Sequence, residues 1–67
     1  MVMKEYDYTI TDTDQLTEYQ QFYCEKGLCH VIQIMEDFDC YECEVLEPAE
    51  KEGVVFYLEF GDKISLS

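Results

Sequence analysis

The sequence predicts a single α+β domain, one amphipathic helix packed on a mainly antiparallel sheet of three to five strands in the order β-α-β-β-β. Three observations carry this expectation. Apolar residues recur at three- and four-residue steps from Leu16 to Tyr23 and are followed by the stop signals Lys26 and Gly27. β-Branched and aromatic residues crowd into Leu28 to Met35 and Val54 to Phe60. Tyr41 to Val45 alternates strictly between apolar and acidic side chains.

Taken in order, the first ten residues place Val2, Tyr6, Tyr8 and Ile10 on one parity and Met3, Glu5, Asp7 and Thr9 on the other, the pattern of a strand with one wet face. Thr11-Asp12-Thr13-Asp14 then offers N-cap residues and acids for the positive end of a helix over about residues 13–26. On that helix Leu16, Tyr19, Phe22 and Tyr23 share one side, Lys26 complements the C-terminal dipole, and Gly27 takes the left-handed cap. Leu28 to Met35 is apolar on both parities and reads as a central strand with the helix on one face. Glu36-Asp37-Phe38-Asp39 is the next turn. In the strand that follows, Tyr41, Cys43 and Val45 face inward and Glu42 and Glu44 outward. Glu47 to Gly53, with Pro48, is a loop. Val54 to Phe60 forms a further strand, and Gly61-Asp62 is a two-residue turn that lets Lys63 to Ser67 pair back onto it.

The 67 residues form one domain, 1–67, in which 16 acids face 4 Lys and no Arg, a net charge of −12. With 48% hydrophobic and 15% aromatic residues, a core forms in spite of this repulsion. A domain of this size buries only about 60% of its unfolded surface, too little for a deep substrate cleft. No phosphate loop, nucleophile elbow or Cys-His dyad is present, so neither an enzyme nor a cofactor is expected. The longest apolar run, Val54 to Leu58, is far short of the roughly 20 residues a membrane helix needs. Met1 to Asp7 lacks the apolar stretch of a secretory signal, which predicts a soluble, cytoplasmic protein with reduced thiols.

The acids concentrate between residues 36 and 52, where Glu36, Asp37, Asp39, Glu42, Glu44, Glu47, Glu50 and Glu52 are met only by Lys51. These eight are the candidate partner-binding residues. Their density repels nucleic acid and anionic lipid and attracts a Lys/Arg-rich, nucleic-acid-binding protein. The bland counterpart is a solvated face that maintains solubility. Tyrosines bordered by acids, at Tyr6, Tyr8 and Tyr41, suit either an interface for Lys and Arg stems or the core. Cys24-x4-Cys29 and Cys40-x2-Cys43, with His30, raise a structural zinc site. Against zinc stands the parity that separates Cys40 from Cys43, and free thiols are expected. Asp12-x-Asp14 lacks the glycine and distal glutamate of a calcium loop.

A tiny, Arg-free domain of this acidity looks like the inhibitors that phages and mobile elements encode, among them anti-restriction proteins, uracil-DNA glycosylase inhibitors and some anti-CRISPR proteins. The resemblance is one of charge and size, and no residue role is carried over. It implies an inhibitor that mimics nucleic-acid charge in the basic groove of a host defence or DNA-processing protein. The alternatives are an acidic protein-protein adaptor or a homodimer without such mimicry and, third, a small zinc-stabilised domain.

Overall fold

Strand alternation, not helical periodicity, governs the segment before Gly27. Phe22 and Cys24 are buried while Gln21 is exposed and Tyr23 half-buried, the two-residue period of an extended chain. In the computed structural model, which describes residues 6–66, the strands are β1 (Tyr8–Thr9), β2 (Gln21–Cys24), β3 (Gly27–Met35), β4 (Cys40–Glu47), β5 (Val55–Glu59) and β6 (Lys63–Ile64). β2 to β5 form a four-stranded antiparallel meander, and β1 pairs with β6 in a second, two-stranded sheet. Of the strand expected over the first ten residues, Tyr8–Thr9 forms as β1, and the part at residues 1–5 lies outside the described residues.

The expected α+β fold is therefore corrected to a mostly-β one. Among the described residues the helical segments are two three-residue 3₁₀ turns, Glu36–Phe38 and Ala49–Lys51. Instead of a helix over 13–26, a loop leads into β2, because its amides find side-chain partners in place of i−4 carbonyls. Within 13–26 the Thr13 N–H donates to Asp12 Oδ1 at 2.8 Å and the Thr17 N–H to Gln20 Oε1 at 2.9 Å, while Gln15 Oε1 turns back to accept from the Thr11 and Asp12 N–H groups. Tyr19 takes a positive φ of 66° and is 65% exposed, so the presumed apolar stripe does not exist. Threonine, aspartate and the aromatic residues are also indifferent helix formers.

Gly27 is a stop signal of another kind. Glu25 and Lys26 form the two-residue connection of the β2–β3 hairpin, with Cys24 opposite Gly27, and Gly27 takes the positive φ of 118° that the reversal requires. β3 is central, as its apolar run suggests, but no helix covers it. Register shifts at Leu28/Cys29 and Val31/Gln33 change which parity faces inward: Cys29 and Val31 are buried, and beyond the shift Ile34 packs on the core. This explains apolar residues on both parities.

The core lies inside the curled meander, where Tyr41, Cys43 and Val45 of β4 face inward as their parity predicts, beside Phe22, Cys29, Val31 and Leu58. Ile10, Leu16 and Ile64 close it from the loop and from β6. The chain turns at Phe60-Gly61, one residue before the expected Gly61-Asp62, closed by the Asp62 N–H donating to the Glu59 C=O at 3.0 Å, and β6 does not pair back onto β5. Ile10 captures the turn, accepting from Gly61 N–H at 2.7 Å and donating to Asp62 C=O at 2.9 Å, which directs β6 onto β1 and buries Ile64. Ser65 then exchanges two 2.8 Å bonds with Tyr23, binding the chain to the far edge of β2.

Candidate protein-interaction face

β4 supplies the face, because its outward residues Glu42 and Glu44 sit in register with both neighbours. Glu42 stands opposite Gln33 of β3 and Tyr57 of β5; Glu44 stands opposite His30 and Val55. His30 Nε2 lies 3.0 Å from Glu44 Oε1, within hydrogen-bond distance, and the Tyr19 ring lies 6.1 Å from that of His30. Tyr57 and Val55 are 54% and 49% exposed. The surface is thus a row of carboxylates bordered by an aromatic ring and a β-branched side chain, an arrangement that can hold a cationic head and its apolar stem together.

The eight sequence-identified acids follow the chain from the first 3₁₀ turn through β4 to the second, and the strand register places Glu42 and Glu44 on one face. Glu36 and Asp37 belong to the first 3₁₀ turn and Asp39 caps it in a left-handed conformation, φ 54°. Glu42, Glu44 and Glu47 follow along β4, and Glu50 and Glu52 lie in and just after the second 3₁₀ turn. All are exposed except the half-buried Glu42 and Glu44. Successive outward carboxylates on a strand are spaced about 6.6 Å apart. Lys51, between Glu50 and Glu52, pairs with neither, and Lys26 Nζ sits 5.2 Å from the centre of the Phe56 ring instead of on a carboxylate.

Sequence reasoning missed Val55 and Tyr57. The signal was present, since Phe56 and Leu58 occupy the inward parity and leave Val55, Tyr57 and Glu59 outward, but the apolar run from Val54 to Leu58 masks it. Of the tyrosines proposed for an interface, Tyr41 is fully buried and Tyr6 and Tyr8 are half-buried.

The four thiols are free and buried. Cys24 and Cys29 approach to 3.8 Å between sulfurs, and burial pushes Cys29 and Cys43 up to about 12 from the usual 9.0. His30 is engaged with Glu44, and no three His, Cys, Asp or Glu among the described residues are placed to hold a metal. A cleft of about 550 Å³ separates β5 from the β2–β3 turn, lined by Cys24, Lys26, Phe56, Leu58, Asp62 and Lys63 among others. No helix of the described residues is long and apolar enough to cross a membrane. Compared with protein-family models, curated proteins and solved structures, the chain matches none.

Proposed function

We propose that this domain is an acidic inhibitor, of the kind phages and mobile elements use against host defence or DNA-processing proteins. It docks the β4 side on a basic protein and occupies the groove that protein keeps for phosphates. The observation that supports this reading is the run of carboxylates from Glu36 to Glu52: among the described residues none of Glu36, Asp37, Asp39, Glu42, Glu47, Glu50 and Glu52 has a salt-bridge partner, and Glu44 is held by His30. Without arginine in the chain, no internal guanidinium competes for these groups. Such a surface steers cationic partners and repels nucleic acid itself.

Val55 and Tyr57 favour a second reading, an adaptor that binds a basic partner without imitating nucleic acid, because a pure phosphate mimic has no use for exposed apolar groups beside its charges. Competition separates the two. The immobilised domain, loaded with a partner captured from lysate, is challenged with duplex DNA or guide RNA; displacement supports the inhibitor, retention the adaptor. Elution indifferent to salt removes both.

A further inference from the structure

β5 is an edge strand: among the described residues it pairs with β4 on one side and with no strand on the other. Two hydrogen bonds fix the direction of its peptide groups. The Val54 C=O accepts from Val45 N–H at 2.9 Å, so residue 54 faces β4, whereas the Glu59 N–H donates to Asp62 Oδ2 at 2.8 Å, so residue 59 faces away. Peptide groups alternate along a strand, and those of Val55 and Tyr57 therefore point into the open edge with Glu59. Asp62 closes the Glu59 position, since its own N–H also donates to the Glu59 C=O at 3.0 Å. Two N–H and two C=O groups, those of Val55 and Tyr57, find no partner among the described residues. β5 carries no proline, no lysine and no bulge, the usual devices that blunt such an edge.

We propose that this edge takes up an extended Lys- or Arg-bearing segment of the partner as an added strand, hydrogen-bonded to Val55 and Tyr57. The inference rests on the reading of the β4 face as a site for a cationic protein and states how that protein is held. Main-chain bonds set the register, and alternate side chains divide between two surroundings. Those on the outer side carry cations past the Tyr57 ring toward Glu42 and Glu59; those on the inner side enter the cleft beside Phe56 and Leu58. Charge selects this occupant over a second copy of the chain, because two domains of −12 repel, whereas a basic strand relieves the repulsion.

The test uses a short peptide alternating Lys with Val, added to isotope-labelled protein and followed by amide hydrogen exchange and by titration. The Val55 and Tyr57 amides exchange fast in the free protein and slow by about tenfold or more when the peptide saturates. N-methylation of every second peptide amide abolishes binding in one of the two possible sets and spares it in the other, a readout that leaves the protein unaltered. Val55→Pro, which removes an N–H that β4 does not use, weakens the peptide by about tenfold or more. Equal binding of both methylated sets, or no protection at Val55 and Tyr57, overturns strand addition while salt-sensitive binding keeps the cationic reading. Equal binding of a Glu-Val peptide with edge protection keeps the edge and removes the cationic partner. Slow exchange of both amides in the free protein overturns the proposal, and its dependence on concentration would show that a second copy fills the edge.

Discussion

The Tyr41 hydroxyl donates to the Asp12 carbonyl across 2.7 Å, joining the start of β4 to the loop that precedes β2. The same oxygen accepts from the Gln15 and Leu16 N–H groups at 3.1 and 3.3 Å, so one buried side chain satisfies three backbone groups. Burial raises the Tyr41 phenol above its ordinary value, a shift opposed by the hydrogen bonds from Leu16 and Gln15. A neutral hydroxyl can both donate and accept, and this loop requires both.

Tyr41→Phe keeps the ring and removes the oxygen, leaving one carbonyl and two amides without this partner. Each buried unsatisfied group costs about 1–3 kcal/mol, and since water can reach part of the loop a total of about 2–3 kcal/mol is expected. Urea denaturation with an unchanged m-value measures it, with faster proteolysis between Thr11 and Gln20 as a local sign. An unchanged midpoint would mean that Leu16 and the Gln15 side chain hold the loop by themselves.

Gly27 is the backbone position least tolerant of a side chain. A Cβ there would collide with the Glu47 carbonyl and approach Pro48 Cδ at 2.9 Å, on a residue whose φ of 118° already disfavours any L side chain. Gly27→Ala is expected to cost about 2 kcal/mol or more. Gly53→Ala is the control, because its φ of 90° carries similar strain but nothing lies within 4 Å of a Cβ. If the two variants lose equal stability, dihedral strain decides and the contact with Glu47 does not.

Alkali should unfold the domain through its thiols. Cys29 and Cys43 are raised to about 12 from 9.0, chiefly by burial, so the folded form keeps protons that the unfolded form releases. Their contribution is complete below pH 9 and is lost as pH rises from there toward 12, with a slope of at most about 1.4 kcal/mol per pH unit per thiol. Urea midpoints measured from pH 8 to 10.5 should fall progressively, and less steeply in Cys43→Ala. A flat profile would show that unfolded thiols do not titrate differently from folded ones.

These elements also mark where the sequence was readable. The alternation from Tyr41 to Val45 gave its burial correctly because one face of β4 is core and the other solvent, and the period has no competitor. Leu16 to Gly27 misled because a short amphipathic helix and a loop followed by a hairpin share their punctuation. Asp and Thr cap either one, and a glycine of positive φ ends either one. The deciding contact, Tyr41 with Asp12, spans 29 positions and leaves no local trace. The acids of the candidate site were evident from composition. Their alignment with Val55 and Tyr57 depends on the β4–β5 register, which composition does not contain.

The line of acids should be separable from the fold. Among the described residues Glu42, Glu50 and Glu52 form no ion pair, and exchanging all three for Lys adds two charges at each, moving the net charge from −12 to −6. Glu44 is left in place because it holds His30 at 3.0 Å, so a fold defect could not be assigned to that lost pair. Repulsion across so small a domain falls with the exchange, and stability at low salt is expected to rise by up to about 1 kcal/mol, the gain shrinking as salt screens the remaining charges. Association with a basic partner should weaken in the same variant by about tenfold or more, mainly through slower association, since steering follows net charge. Thermal melts at low and high salt, paired with association kinetics, provide both readings. A less stable variant at low salt would mean that these carboxylates serve the fold, and unchanged association would shift the interface to the apolar residues Val55 and Tyr57.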